Sequence, residues 1–152
     1  MDWFELLMYL HVLAMAVWFG SGLAITVIAF RALRTSVETF AGFLVPAAWW
    51  AGRAHPAAGV VLLLTGFAMV ADRDLSIGET WVLLGLIGLV LVMAIGGALV
   101  GRTSDALVKR VAGGGITSEE LTETGERLLL YTRIELALLA LVIADMIVKP
   151  GA

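Results

Sequence analysis

Leu6–Phe30 reads LLMYLHVLAMAVWFGSGLAITVIAF, with no formal charge and one histidine. A run of roughly 25 residues at 1.5 Å rise reaches roughly 38 Å, more than the ~30 Å hydrocarbon core of a bilayer. Its flank carries Asp2 and Glu5 rather than basic residues, and its apolar core is too long for a signal peptide. It is therefore read as a permanent membrane span. Working outward, Thr80–Gly101 is also uncharged and long enough to span alone. Ala54–Ala71 is uncharged and reaches span length by extending back toward Trp49 and Trp50. The run from Arg127 to Lys149 is interrupted by Arg133, Glu135 and Asp145, and qualifies if those charges face protein.

The whole composition agrees with this reading. The chain has 152 residues, of which 61% are hydrophobic and 15% charged, against about 45–50% and about 25% in soluble domains. Mean hydropathy is +0.98. A soluble fold this small exposes too much surface to hide that much apolar side chain, which excludes a soluble globular enzyme. The abundance of Leu, Val and Ala excludes disorder. With Cys 0, disulfide scaffolds, thiolate metal sites and thiol catalysis are excluded. The net charge of -3 and the lack of a basic block argue against nucleic-acid binding.

These observations predict an all-α polytopic membrane protein. Its single domain, 1–152, is a four-helix bundle with spans at roughly 4–30, 50–71, 79–101 and 127–148. Arg31, Arg34, Arg53, Arg102, Lys109, Arg110, Arg127 and Arg133 fall on one side, leaving Arg73 and Lys149 on the other. The basic side is expected to be cytoplasmic, which puts the chain in the cell (inner) membrane with both termini outside.

Phe40, Phe43, Leu44, Trp49 and Trp50 make the first connection an amphipathic, interfacial segment, with Pro46 limiting helix there. In the polar third connection, Gly113-Gly114-Gly115 breaks the chain, and Thr117 with Glu120 forms a capping box for a helix that runs into the fourth span. Small residues repeat at Ala16, Gly20 and Ala24, and at Gly97 and Gly101 near Gly96. That spacing lets helix backbones approach closely, first of all inside the bundle and alternatively in a homodimer or with a membrane-protein partner.

His11 lies roughly 10 Å deep in the first span. An imidazole there needs a partner, which makes it the first functional candidate; a hydrogen bond to a neighbouring helix is the structural alternative. Met8 and Met15 sit at i-3 and i+4 on its face, with Trp18 and Gly22 continuing the stripe. Thioethers with an imidazole suit Cu(I), although Met also fills gaps in apolar cores. His55 opens the second span beside Pro56 at the opposite leaflet, too far away to share one metal or one haem iron with His11. Arg133 and Glu135 are expected to serve structural pairing, and Asp145 to reach headgroups or water. No nucleophile constellation, phosphate loop or zinc signature is present.

Leu10-His11-Val12, Trp18-Phe19-Gly20 with Gly22, Pro56, Thr65-Gly66, Gly78 with Trp81, and Met146-Ile147-Val148-Lys149-Pro150 form a familiar pattern. It resembles an uncharacterised family of four-span bacterial integral membrane proteins. That family looks related to the copper-resistance D membrane domains and the HemJ-type protoporphyrinogen oxidases. The resemblance implies haem b handled through His11, or copper passage with Met8, His11 and Met15 as metal ligands. HemJ-type enzymes carry a Lys shortly after a third-span Trp; Val82, Leu83 and Leu84 follow Trp81 here, so the reading leans away from an enzyme. The expected function is membrane-embedded haem or cofactor handling by His11, with copper binding at the outer face or a non-catalytic accessory subunit as alternatives.

Overall fold

The computed structural model describes residues 2–151, all helix and connecting turns with no strand among them. Asp2 starts the first helix. Its carboxylate accepts from the Glu5 backbone N–H at 2.7 Å, and the Glu5 carboxylate accepts from the Asp2 N–H at 2.9 Å. Two donors at the helix start are thereby satisfied. From there α1 runs Trp3–Thr35. Ser36 both ends it and begins the next helix: its N–H reaches the Ala32 carbonyl, and its hydroxyl accepts from the Thr39 N–H at 3.1 Å. With α2 spanning Val37–Asp72, one residue turns the whole α1–α2 hairpin.

This corrects the expectation of a separate interfacial segment. Phe40 through Trp50 form the first half of α2, and the helix continues through both Pro46 and Pro56. A proline ring in a helix clashes with the carbonyl four residues earlier. Those positions are Gly42 and Gly52, where the absence of a side chain lets the peptide tilt away. Phe40 and Leu44 are buried, so tertiary packing holds a helix that the prolines alone disfavour.

The third rod is α3 (Thr80–Ile95), a π-helical segment Gly96–Gly101 and α4 (Arg102–Ala112), continuous over Thr80–Ala112. Gly114, at φ +65, makes the turn that follows, in the left-handed region that favours glycine. As expected, Thr117 and Glu120 form a capping box, and α5 runs Ser118–Val148 without a break. The third connection is shorter than the sequence suggested, because α4 and the first turns of α5 occupy most of it.

Each neighbouring pair of rods keeps one antiparallel register. Along α1–α2, Arg73 stacks on Phe4, His11 meets Thr65, and Ser21 meets His55. Along α3–α5, Gly85 lies against Met146, Gly88 against Val142 and Gly96 against Glu135. One core cluster contains Trp18, Leu62, Val92 and Leu139; a second, toward Ser36, contains Phe40, Leu44, Leu107 and Leu129.

Among the described residues, three helices are long and apolar enough to cross a membrane: α1, α2 and the Thr80–Ala112 rod. The fourth long helix, α5, has the length, but Arg127, Arg133, Glu135 and Asp145 interrupt its apolar run. The expected small-residue seams are also redrawn. Ala16, Gly20 and Ala24 face outward, and nothing approaches a Cβ built on Gly20 or Gly97. The close α3–α5 approach uses Gly85, Gly88 and Gly96 instead. Asp145 does not simply reach water: its Oδ2 is enclosed and has no hydrogen-bond partner among the described residues.

Candidate functional site

Two polar centres lie on the α1–α2 hairpin. At the first, His11 Nδ1 is 2.8 Å from Thr65 Oγ1, which is itself 2.7 Å from the Val61 carbonyl. A hydroxyl has one proton. Given to Val61, it leaves Thr65 as acceptor, so His11 donates from Nδ1 and a neutral ring keeps a bare lone pair on Nε2. The ring lies beside Gly66: a Cβ there would stand 3.6 Å from His11 Cε1, an ordinary contact. The bond answers the partner requirement that the burial of His11 raised. Met8 is 47% exposed, and Met15 packs against the cluster around Trp18.

The second centre lies about ten residues further along α1, roughly 15 Å away by helical rise. His55 Nε2 is 3.1 Å from Ser21 Oγ, and that hydroxyl donates to the Val17 carbonyl. By the same proton count His55 donates from Nε2 and presents a bare Nδ1. Its ring stacks on Trp18, with centroids 6.1 Å apart and planes at 22°. Trp18 Nε1 in turn donates to Glu135 Oε1 at 3.2 Å. Three helices are thus joined through one indole: α1 supplies Trp18, α2 the stacked imidazole and α5 the carboxylate. As expected from their opposite depths, His11 and His55 do not come together.

Glu135 is 5% exposed. The bundle makes room for it with Gly96, where a Cβ would fall 2.8 Å from Oε1. Gly96 also opens the π-helical segment, a distortion frequent at functional sites. Beside the carboxylate lie two adjoining cavities of about 410 and about 70 Å3, both faced by Trp18, His55, Ser104 and Glu135. They sit between the two core clusters. Arg133, two residues away and so on another face of α5, packs over Phe30 instead.

Sequence reasoning reached His11 and gave Glu135 a structural pairing. It did not assemble Trp18, His55 and Glu135 with this cavity. The available signals were a charged residue inside the fourth apolar run and the Gly96-Gly97 pair in the third. Among the described residues, no group of three or more His, Asp or Glu side chains is placed to hold a metal ion.

Neither the search of curated proteins nor that of solved structures gives a match. A family model does match, over residues 5–150. The chain belongs to the family described as predicted integral membrane protein (DUF2269).

Proposed function

We propose that this protein is a four-span membrane protein that binds a small ligand inside the bundle, in the cavity faced by Trp18, His55 and Glu135. The observation that carries this reading is the buried Glu135 carboxylate: Trp18 occupies Oε1, and no hydrogen bond reaches Oε2 among the described residues. A carboxylate at membrane depth is costly unless something meets it, and the adjacent space has the volume of small-molecule sites, about 300–1,000 Å3. The chain has no cysteine, so single thiols can map the cavity. Ser104→Cys should react with a small charged thiol reagent, while Leu139→Cys, in the closed cluster, should not. Failure of Ser104→Cys to react in folded protein counts against an accessible ligand site.

A second reading keeps His11 as a haem b ligand. Its support is the bare Nε2, since metal-bound histidines characteristically anchor their other ring nitrogen by a hydrogen bond, together with the resemblance to HemJ-type enzymes. Haem would supply redox chemistry; His11 would supply an axial nitrogen held by Thr65. Purified protein should then show a Soret band that His11→Ala abolishes and His55→Ala largely preserves. Copper bound at the outer face by His11, Met8 and Met15 would instead register in metal analysis and weaken on Met8→Leu. A spectrum and an analysis free of both groups would favour the accessory-subunit reading.

The proposed setting is the inner membrane, with α5 as the fourth span and both termini outside. The outward Ala16, Gly20 and Ala24 stripe gives a homodimer or a membrane-protein partner a surface for close helix approach.

A further inference from the structure

We propose that the Trp18–His55–Glu135 cavity selects a small organic monocation, an ammonium group, with Glu135 as its counter-ion. The inference rests on the cavity reading above and adds the charge of the ligand. Neither cavity is lined by Lys or Arg. The titratable groups facing them are Glu135, His55 and, on the larger one, Asp105. Asp105 is exposed and has the sign that attracts a cation.

The hydrogen-bonding inventory points the same way. Glu135 Oε2 is an acceptor that no donor reaches among the described residues, and the neutral His55 ring has already used its proton on Ser21. The open polar functions of the site therefore accept, and a ligand that donates or carries positive charge completes them. An anion would meet two carboxylates and no counter-charge.

The size and wall of the cavity separate an organic cation from a metal ion. A volume of about 410 Å3 exceeds what one coordinated ion fills. Metal binding would also need converging ligands, and no such group occurs among the described residues. Met93, Val100 and Ala48 offer apolar wall to alkyl substituents, while Gly96, Gly97 and Gly101 leave the facing helix without side chains there.

The test is calorimetry on the full chain in phosphatidylglycerol nanodiscs, titrated with choline and with its neutral carbon isostere dimethylbutanol. The expected result is saturable choline binding, with the isostere at least about tenfold weaker, or about 1.4 kcal/mol. E135Q should bring choline to the level of the isostere, and E135D should retain the preference. Should E135Q fail to fold, the two ligands on wild-type protein still decide the matter. Adding phosphatidylethanolamine to the discs separates the sources of the ammonium group: weakened choline binding marks a lipid headgroup as occupant, and unchanged binding marks a free cation. Equal binding of choline and isostere, or an E135Q indifferent to charge, overturns the cation assignment while leaving a ligand cavity. Absence of saturable binding by both overturns the assignment, and thiol mapping of Ser104→Cys then decides separately whether the cavity is accessible.

Discussion

At the residue scale, the protein answers the cost of burying polar groups by giving each proton one destination. Thr65 spends its proton on its own helix and so becomes an acceptor for His11; Ser21 does the same for His55. Thr65→Val keeps the shape but leaves His11 Nδ1–H without an acceptor, a loss of about 1–3 kcal/mol for a buried group. Thermal unfolding of the detergent-solubilised protein should place Thr65→Ser near wild type and Thr65→Val clearly below it. Equal stability of the two variants would show that the bond contributes nothing. Trp18→Phe tests the other centre, since it removes the N–H that reaches Glu135 while keeping most of the aromatic volume. It should destabilise the bundle, and Glu135→Gln in the same background should recover part of the loss by removing the unpaired charge. No recovery would mean that Glu135 finds another donor.

At the element scale, local features were legible and long-range pairings were not. Thr117 and Glu120 lie three residues apart, so the start of α5 could be read directly, as could the break at Gly113–Gly115. Pro46 reads as a helix limit in sequence, yet α2 continues through it, with Gly42 at the position where the ring would clash. Small-residue spacing at Ala16, Gly20 and Ala24 revealed a smooth face but not its direction. Trp18 and Glu135 are separated by 117 residues, and no periodicity within either helix announces their contact. The α3–α5 seam gives a graded test. A Cβ at Gly88 would come 2.5 Å from Val142 Cγ2, a stiff β-branched neighbour, whereas one at Gly85 meets the end of the flexible Met146 side chain. Gly88→Ala should therefore cost about 1–3 kcal/mol, and Gly85→Ala much less; the reverse order in thermal unfolding would contradict this seam. At the α5 start, the Thr117 backbone N–H, and then the Arg110 guanidinium at 3.0 Å, hold the Glu120 carboxyl below the ordinary carboxylate range. A carboxyl with a depressed folded pKa contributes stability above its unfolded value, and that contribution is lost as pH falls through the folded value. Proteolysis at Gly113–Gly115 should accelerate on acidification below about pH 4, and Glu120→Gln should remove that added sensitivity. A Glu120→Gln protein with the wild-type acid response would place its cause elsewhere.

At the scale of the whole molecule, the rods turn an apolar exterior outward along most of their length. Leu64, Val90 and Leu141 are exposed on three different rods, a cost in water but not in lipid. Basic side chains gather toward the Ser36 end of the bundle. Arg34 and Arg133 both stack on Phe30, while Arg53 leans back one turn to bond the Trp49 carbonyl. That lean carries the Arg53 guanidinium toward the same end, as a snorkelling side chain does near an interface. The opposite end has Arg73 over Phe4 and Lys149 over Trp81, with Asp2, Glu5, Asp72 and Glu79 around them in sequence. Eight basic residues against two are the basis, by the positive-inside rule, of the proposed orientation, in which the Ser36 turn and the α4–α5 turn would face the cytoplasm and both termini would face out. Reporter fusions at residues 1 and 152 should each give the periplasmic signal, and a fusion within Gly113–Gly115 the cytoplasmic one. Cytoplasmic signals from both termini would invert the protein, and termini on opposite sides would remove α5 from the spans. The second outcome would reach the proposed site directly, because Glu135 faces Trp18 only while α5 lies alongside α1 within the membrane.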